Sequence, residues 1–177
     1  MIEFIRKFYE RKLERELSSG KIPQHIMIVA DEDFVRGGLD RFLSWCDRFG
    51  IREITVCFKG KKKSVVSRKL GNITLNVIES YGGRDEIIDA VRELAKLVKL
   101  GKVDPEDVEE KDFERFLKVK SSPDLIVKAD KEIPEFLIWQ SIYSELYFVD
   151  IDWRSFRYVD FLRCLREFQR RERRYGR

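Results

Sequence analysis

Apolar positions along the chain change period several times, and each change marks an element. Ile2, Ile5, Tyr9, Leu13 and Leu17 recur at three- and four-residue spacing with charges between them, which predicts an amphipathic helix ended by Ser18-Ser19-Gly20. His25 to Ala30 is then a short continuous apolar run, the pattern of a strand covered on both faces. Leu39, Phe42, Leu43, Cys46 and Phe49 return to helical spacing and stop at Gly50, after which Glu53 to Phe58 reads as a second strand. Ile73 to Ile78 is a third strand, followed at once by Ile87, Ile88, Val91, Leu94, Ala95 and Val98 on a long helix. Asp104-Pro105-Glu106 has the cap and first-turn residues of another helix. Asp124 to Val127 predicts a fourth strand, about Pro134 to Ser144 a helix, and Leu146 to Val149 a fifth strand. The last helix, about Tyr158 to Arg173, aligns Phe161, Leu162, Leu165 and Phe168.

Strands alternating with helices define the fold class: α/β, a mostly parallel central sheet covered by helices, because parallel neighbours need a crossover long enough to hold one. A length of 177 residues predicts a single domain, 1–177. No apolar run approaches the roughly 18–20 residues needed to cross a bilayer, and the charged stretch Met1 to Leu17 is unlike a signal peptide, so a cytoplasmic protein is expected.

Composition narrows the chemistry. Cys46, Cys57 and Cys164 have neither zinc-site spacing nor the even count of a disulfide framework, and read as buried thiols. One histidine, His25, excludes a His-rich metal site and reads as a hydrogen-bonded core residue, so the chemistry left is mostly that of carboxylates and arginines. Charge is uneven: Arg163 to Arg177 holds seven Arg and two Glu, a net of +5, while the whole chain is +4. Lys59 to Lys69 adds a second basic stretch. Such clusters either meet phosphate or form a solvated helix face and a solvated loop. No G-x-G-x-x-G or G-x-x-x-x-G-K-[ST] pattern occurs. In open parallel sheets the site lies beyond the C-terminal strand ends, which singles out Asp31, Ser80 to Arg84, and Lys128 to Glu132.

Pro23-Gln24-His25-Ile26-Met27-Ile28-Val29-Ala30-Asp31 resembles the opening P-x-H-V-A-I-I-M-D of the cis-prenyltransferases, the undecaprenyl diphosphate synthase family. In the same order come Ser80-Tyr81-Gly82-Gly83-Arg84, similar to N-Y-G-G-R, then Phe136-Leu137-Ile138-Trp139-Gln140 and Tyr143-Ser144-Glu145-Leu146-Tyr147-Phe148, similar to F-L-L-W-Q and Y-A-E-L-Y-F. Arg171 to Gly176 resembles the closing R-E-R-R-F-G. The resemblance implies condensation of isopentenyl diphosphate with an allylic diphosphate, with Mg²⁺ between phosphate and carboxylate. By matching position, it implies Asp31, Arg174 and Gly176 as catalytic residues, Arg84, Lys128 and Arg174 as diphosphate ligands, and Asp31 and Glu145 as metal ligands. It also implies a dimer interface around Phe136, Trp139, Tyr143, Glu145, Tyr147 and Phe148.

The departures carry as much information. Where the family has Gly-Asn after the aspartate, Glu32 and Asp33 follow Asp31, and two acids repel phosphate. The family's arginine-rich loop is shortened to Lys128 to Pro134, and Lys128 supplies a charge without the two-pronged grip of arginine. Between Phe58 and Ile73 fourteen residues, six of them Lys or Arg, stand where the family walls a tunnel for its product.

Three readings stay open. The first is a non-catalytic accessory subunit resembling the Nogo-B receptor type. It would supply its C-terminal Arg174-x-Gly176 to a full-length catalytic partner, form a homodimer when alone, and need Mg²⁺ in the assembled complex. The second is a self-sufficient, Mg²⁺-dependent short-chain prenyltransferase. The third is an anion- or nucleic-acid-binding protein, for which aromatic residues interleaved among the arginines are few. A position at the membrane surface also stays open.

Overall fold

The computed structural model describes residues 2–129 and 135–171. Its elements are α1 (Ile2–Leu17), β1 (His25–Val29), α2 (Glu32–Gly37), α3 (Leu39–Arg48), β2 (Glu53–Phe58), β3 (Ser64–Leu70) and β4 (Ile73–Glu79). They continue with α4 (Gly83–Lys99), α5 (Glu110–Glu114), β5 (Leu125–Lys128), β6 (Glu145–Phe148) and α6 (Tyr158–Arg170). The strands form one sheet in the order β3-β4-β2-β1-β5-β6, with every neighbouring pair parallel except β3 with β4. The expected α/β class is what the chain adopts.

β1 sits at the centre and is covered on both faces, which is why its sequence is apolar without alternation. Ile26 and Ile28 face a core built with Leu13, Leu17, Phe34, Phe42, Ile54, Val56, Phe161 and Leu165, so α1, α2, α3 and α6 all lie on this side. Met27 faces the other side with Cys57, Ile78, Tyr81, Ile126, Phe136 and Leu137. The start of β1 is pinned by the Asp124 carboxylate, whose Oδ2 accepts from the backbone N–H groups of Gln24 (2.7 Å) and His25 (3.1 Å).

Lower on that second face the sheet is polar, with His25, Thr55 and Asn76 buried. Ser67 Oγ donates to Asn76 Oδ1 at 2.6 Å, Asn76 Nδ2 reaches Glu53 Oε1 (2.7 Å) and Thr55 Oγ1 (3.2 Å), and Thr55 Oγ1 lies 2.8 Å from His25 Nε2. Ser121 Oγ hydrogen-bonds the other ring nitrogen of His25 at 3.1 Å. His25 is thus a satisfied core histidine, and its network spans β3, β4, β2 and β1.

Three expectations need correction. The basic stretch after Phe58 is largely a sixth strand, β3, joined to β4 through the two-residue turn Gly71-Asn72 with Gly71 at φ +57°. Its edge position explains the missed signal. Only its first residues are partly buried, and Arg68 and Lys69 are the charges that edge strands carry against further pairing. The helix expected from about Pro134 to Ser144 is, over the described part from Glu135, a series of turns; Leu137 at φ +48° lies outside the right-handed helical region. The helix expected at Asp104 is one 3₁₀ turn, Pro105–Asp107, capped by Asp104 Oδ1 accepting from Glu106 N at 3.0 Å, with the short α5 after it.

Cys46, Cys57 and Cys164 are buried as expected, and burial raises all three thiols well above their ordinary range. Among the described residues, no helix is long and apolar enough to cross a membrane.

Burial pushes the His25 imidazole below its ordinary value of 6.5, and the Glu53 and Asp124 carboxylates only partly oppose it. A base with a depressed folded pKa takes up its proton mainly on unfolding. Its contribution is therefore complete above about pH 6.5 and is lost as the pH falls below that value. The urea midpoint of the chain should accordingly drop between about pH 7 and about pH 5.5, and His25→Asn should flatten that part of the profile. An equal pH slope in both proteins would refute the assignment.

Candidate active site

The course of the chain selects the site. From β1 it moves outward through β2 to β4, then returns across the sheet to add β5 and β6 on the other side of β1. The connection leaving β1 packs on one face, through Phe34 and Phe42, whereas Tyr81 at the start of the β4-to-β5 connection packs on the other. Neighbouring loops therefore part at the ends of β1 and β5, leaving a crevice where ligands bind in open parallel sheets. A cavity of about 400 Å³ lies there, lined by Val29, Ala30, Asp31, Glu32, Lys59, Lys128, Ala129, Glu135, Phe136 and Trp153.

Three adjacent strand ends set its chemistry. Val29 of β1 pairs with Cys57 of β2 and with Lys128 of β5, so Asp31 stands beyond β1 with Lys59 on one side and Lys128 on the other. At about 4.8 Å between strands, the two lysines start on the order of 10 Å apart with a carboxylate between them. Lys128 is buried and Lys59 exposed. Lys59 continues into Gly60, whose N–H donates to Ser80 Oγ and whose carbonyl accepts from the same hydroxyl, both at 2.9 Å. Lys62 N–H donates to Glu79 Oε1 at 2.8 Å, so backbone bonds hold the basic loop against the end of β4.

Asp31 is also the N-cap of α2: its Oδ1 accepts from Phe34 N at 2.7 Å. Glu32 pairs with Arg36 one turn on, and that hydrogen bond holds its carboxyl below the ordinary range. The N-terminal end of α2 thereby carries three carboxylates of its own, Asp31, Glu32 and Asp33, which repel phosphate.

The remaining motif residues are divided among different places. Gly82 and Gly83 make a joint. Gly83 N–H donates to Glu135 O at 2.6 Å, and a Cβ on Gly83 would meet Ile138 Cγ1 at 2.7 Å and Ile138 N at 2.9 Å. Arg84 is exposed on the first turn of α4 and does not line the cavity. Glu145 begins β6 beside Leu125, level with the start of β1, whereas Asp31 lies beyond the end of β1, roughly 16 Å away along the strands. It pairs with Arg171 at 3.6 Å. One chain therefore does not bring the two expected metal ligands, Asp31 and Glu145, together.

Of the expected interface, Trp139, Tyr143 and Phe148 are exposed, Glu145 and Tyr147 are half-buried, and Phe136 is a buried member of the second core rather than a surface residue. Arg174 and Gly176 lie outside the described residues. Within α6 and just after it, Arg163 pairs with Asp160, Arg166 and Arg170 with Glu167, and Arg171 with Glu145, so these four cations are engaged locally. Sequence reasoning passed over Trp153 and Glu135 as lining residues and did not single out Lys59 from its basic run. Only the position of Lys59 one residue past a strand could have marked it.

The residues present fit Mg²⁺ in one way. Mg²⁺ is commonly held by one or two carboxylates together with substrate phosphates. Among the described residues no three His, Cys, Asp or Glu side chains converge as a self-contained cage, whereas Asp31 offers a carboxylate beside two lysines. That set suits an ion arriving with a diphosphate.

Fold and site define an open parallel-sheet protein with a strand-end pocket compatible with phosphate and metal. Residues 58–176 match the family model described as putative undecaprenyl diphosphate synthase, and the chain belongs to that prenyltransferase family. It is 34% identical to a protein of Methanopyrus kandleri named tritrans,polycis-undecaprenyl-diphosphate synthase (geranylgeranyl-diphosphate specific), over 97% of this chain and 91% of that one. A protein of the same name from Thermococcus kodakarensis is 32% identical over 96% and 92%. The first of these alignments spans 246 positions against a chain of 177 residues, so at least 69 positions of the Methanopyrus protein have nothing opposite them. In fold the chain is similar to lavandulyl diphosphate synthase from Lavandula x intermedia in complex with dimethylallyl diphosphate, with a TM-score of 0.72, 20% identity, and 88% and 99% coverage. A probable undecaprenyl diphosphate synthase from Campylobacter jejuni has a TM-score of 0.67, 18% identity, and 89% and 100% coverage.

The two roles of Asp31, helix cap and charge, are separable. Asp31→Ala should lower stability by about 1 kcal/mol in urea titration, and Asp31→Asn by only a few tenths, because asparagine caps equally well. Equal losses in both would deny the cap.

Proposed function

We propose that this chain takes part in cis-prenyl transfer and binds an isoprenyl diphosphate, as its magnesium complex, in the cavity at the ends of β1, β2 and β5. The carrying observation is the row Lys59, Asp31, Lys128 across three neighbouring strand ends, against the apolar wall of Val29, Ala30, Phe136 and Trp153. Two cations would meet the diphosphate oxygens, and the wall would take the prenyl group. When bound, Mg²⁺ would neutralise the charge that builds on the diphosphate as it departs. The names of the relatives, all synthases specific for geranylgeranyl diphosphate, support a catalytic role and an allylic diphosphate as substrate. They favour the prenyltransferase reading over the accessory one.

A second reading, the accessory subunit of a heteromeric synthase, is favoured by a specific observation. The acids of α2 occupy the place where the family's phosphate loop begins, and at least 69 positions of the Methanopyrus relative are missing from this chain. On that reading the Arg174-x-Gly176 tail serves a full-length partner, and the exposed Trp139, Tyr143 and Phe148 meet it.

One assay separates the two: incorporation of labelled isopentenyl diphosphate with Mg²⁺ and an allylic diphosphate, by this chain, by a full-length homologue from the same organism, and by the two co-purified. The first reading expects product from this chain alone, with Lys59→Gln and Asp31→Asn each about 10²-fold slower at unchanged melting temperature. Product from the mixture above that of the homologue alone, abolished by Arg174→Ala, with none from this chain, would transfer the conclusion to the second. No product and no stimulation would refute both.

A further inference from the structure

We propose that the N-terminal end of α1 is a docking surface for an anionic lipid bilayer. α1 packs onto the body only through its second half, where Leu13 and Leu17 are buried and Tyr9 is half-buried. The residues before Tyr9 stand clear of it. From Glu3 to Phe8 every side chain is exposed, over roughly 9 Å of helix. Three of these are large and apolar: Phe4 is 77% exposed, Ile5 60% and Phe8 62%. Phe4 and Phe8 are one turn apart and Ile5 adjoins them, so they share a face. Isolated exposed apolar residues are ordinary, but three together on a projecting tip are a patch that calls for a cover.

Charge complementarity identifies the cover. Arg6, Lys7, Arg11 and Lys12 are exposed along the same half of the helix. From α6, Arg163 lies 5.6 Å over the Tyr9 ring and Arg166 Nη1 donates to Tyr9 Oη at 3.2 Å, which brings two further cations to the base of the tip. At the base of the tip Lys12 pairs with Glu16, Arg163 with Asp160 and Arg166 with Glu167, so the surplus of positive charge lies toward the tip itself. There Arg6, Lys7 and Arg11 face two acids, Glu3, paired with Arg6 and Lys7, and Glu10, paired with Arg6. These contacts of 3.6–3.8 Å involve exposed cations and are readily exchanged. Aromatic side chains at a tip collared by arginine and lysine match a bilayer interface, where rings enter the acyl boundary while cations stay among anionic headgroups. An apolar protein groove would accept the rings but gives the collar no counterpart. The proposal does not depend on the assignment of the cavity.

The test is flotation of the full chain with vesicles of phosphatidylcholine alone and of phosphatidylcholine containing phosphatidylglycerol. Binding should be confined to the anionic vesicles and should weaken several-fold at high salt. Phe4→Ser/Phe8→Ser and Arg6→Gln/Lys7→Gln/Arg11→Gln should each weaken it about 10-fold or more, with melting unchanged because the altered side chains touch little of the body. Phe8→Trp should shift its emission to the blue only with anionic vesicles. Equal binding of wild type and the serine variant, or no shift at Phe8→Trp, would overturn the proposal. So would a dimer in light scattering that the serine substitutions dissociate without any vesicle binding, which would assign the patch to a second copy.

Discussion

The pairing of β1 with β2 on one side and β5 on the other is the constraint on which the rest depends. β1 is five residues long, and Asp124 secures its start by accepting two backbone N–H bonds. Because parallel neighbours require crossovers, and because the crossovers on the two sides of β1 use opposite faces, the loops after β1 and β5 must diverge. The cavity is the space left by that divergence. Asp31, Lys59 and Lys128 line it together although they are distant in sequence, Asp31 two residues past β1, Lys59 one past β2 and Lys128 the last residue of β5.

The same geometry limits what each charged group can do. Asp31 serves two structures at once, since one oxygen closes the first turn of α2 while the carboxylate faces the cavity. A helix terminus already supplied with Asp31, Glu32 and Asp33 repels phosphate, so any anion binding moves toward the ends of β2 and β5. Glu145, matched by resemblance to a metal ligand, lies at the far edge of the sheet and pairs with Arg171. The Tyr81-Gly82-Gly83 segment, which resembles a functional motif, works first as a joint: Gly83 lets the segment around Ile138 approach α4.

The second face of the sheet changes character along the strands. Its upper part is apolar around Met27, Cys57 and Ile126, while its lower part is a hydrogen-bonded ladder in which Asn76, Thr55 and His25 are buried, Glu53 is half-buried and Ser67 is exposed. A floor of hydrogen-bonded polar groups is poor support for a long hydrocarbon, since its groups are stable only when bonded to one another and gain nothing from an apolar guest.

Much of this was legible in one dimension. Five strands, the long helices and the fold class follow from hydrophobic period, because a face that must be buried imposes its spacing on the residues that bury it. The resemblance motifs likewise placed the family, and the rule for parallel sheets pointed to Asp31 and Lys128. β3 was hidden because an edge strand has little to bury, and the segment after Glu135 misled because apolar residues at helical spacing also suit a turn pressed into a core. What only tertiary structure decided was proximity: that Lys59 joins Asp31 and Lys128, that Glu145 does not, that Phe136 is core, and that Phe4, Ile5 and Phe8 are left uncovered. Periodicity records which face of an element is buried, but not which distant residue it meets, because that is set by strand order and crossover direction, and neither leaves a local mark on the chain.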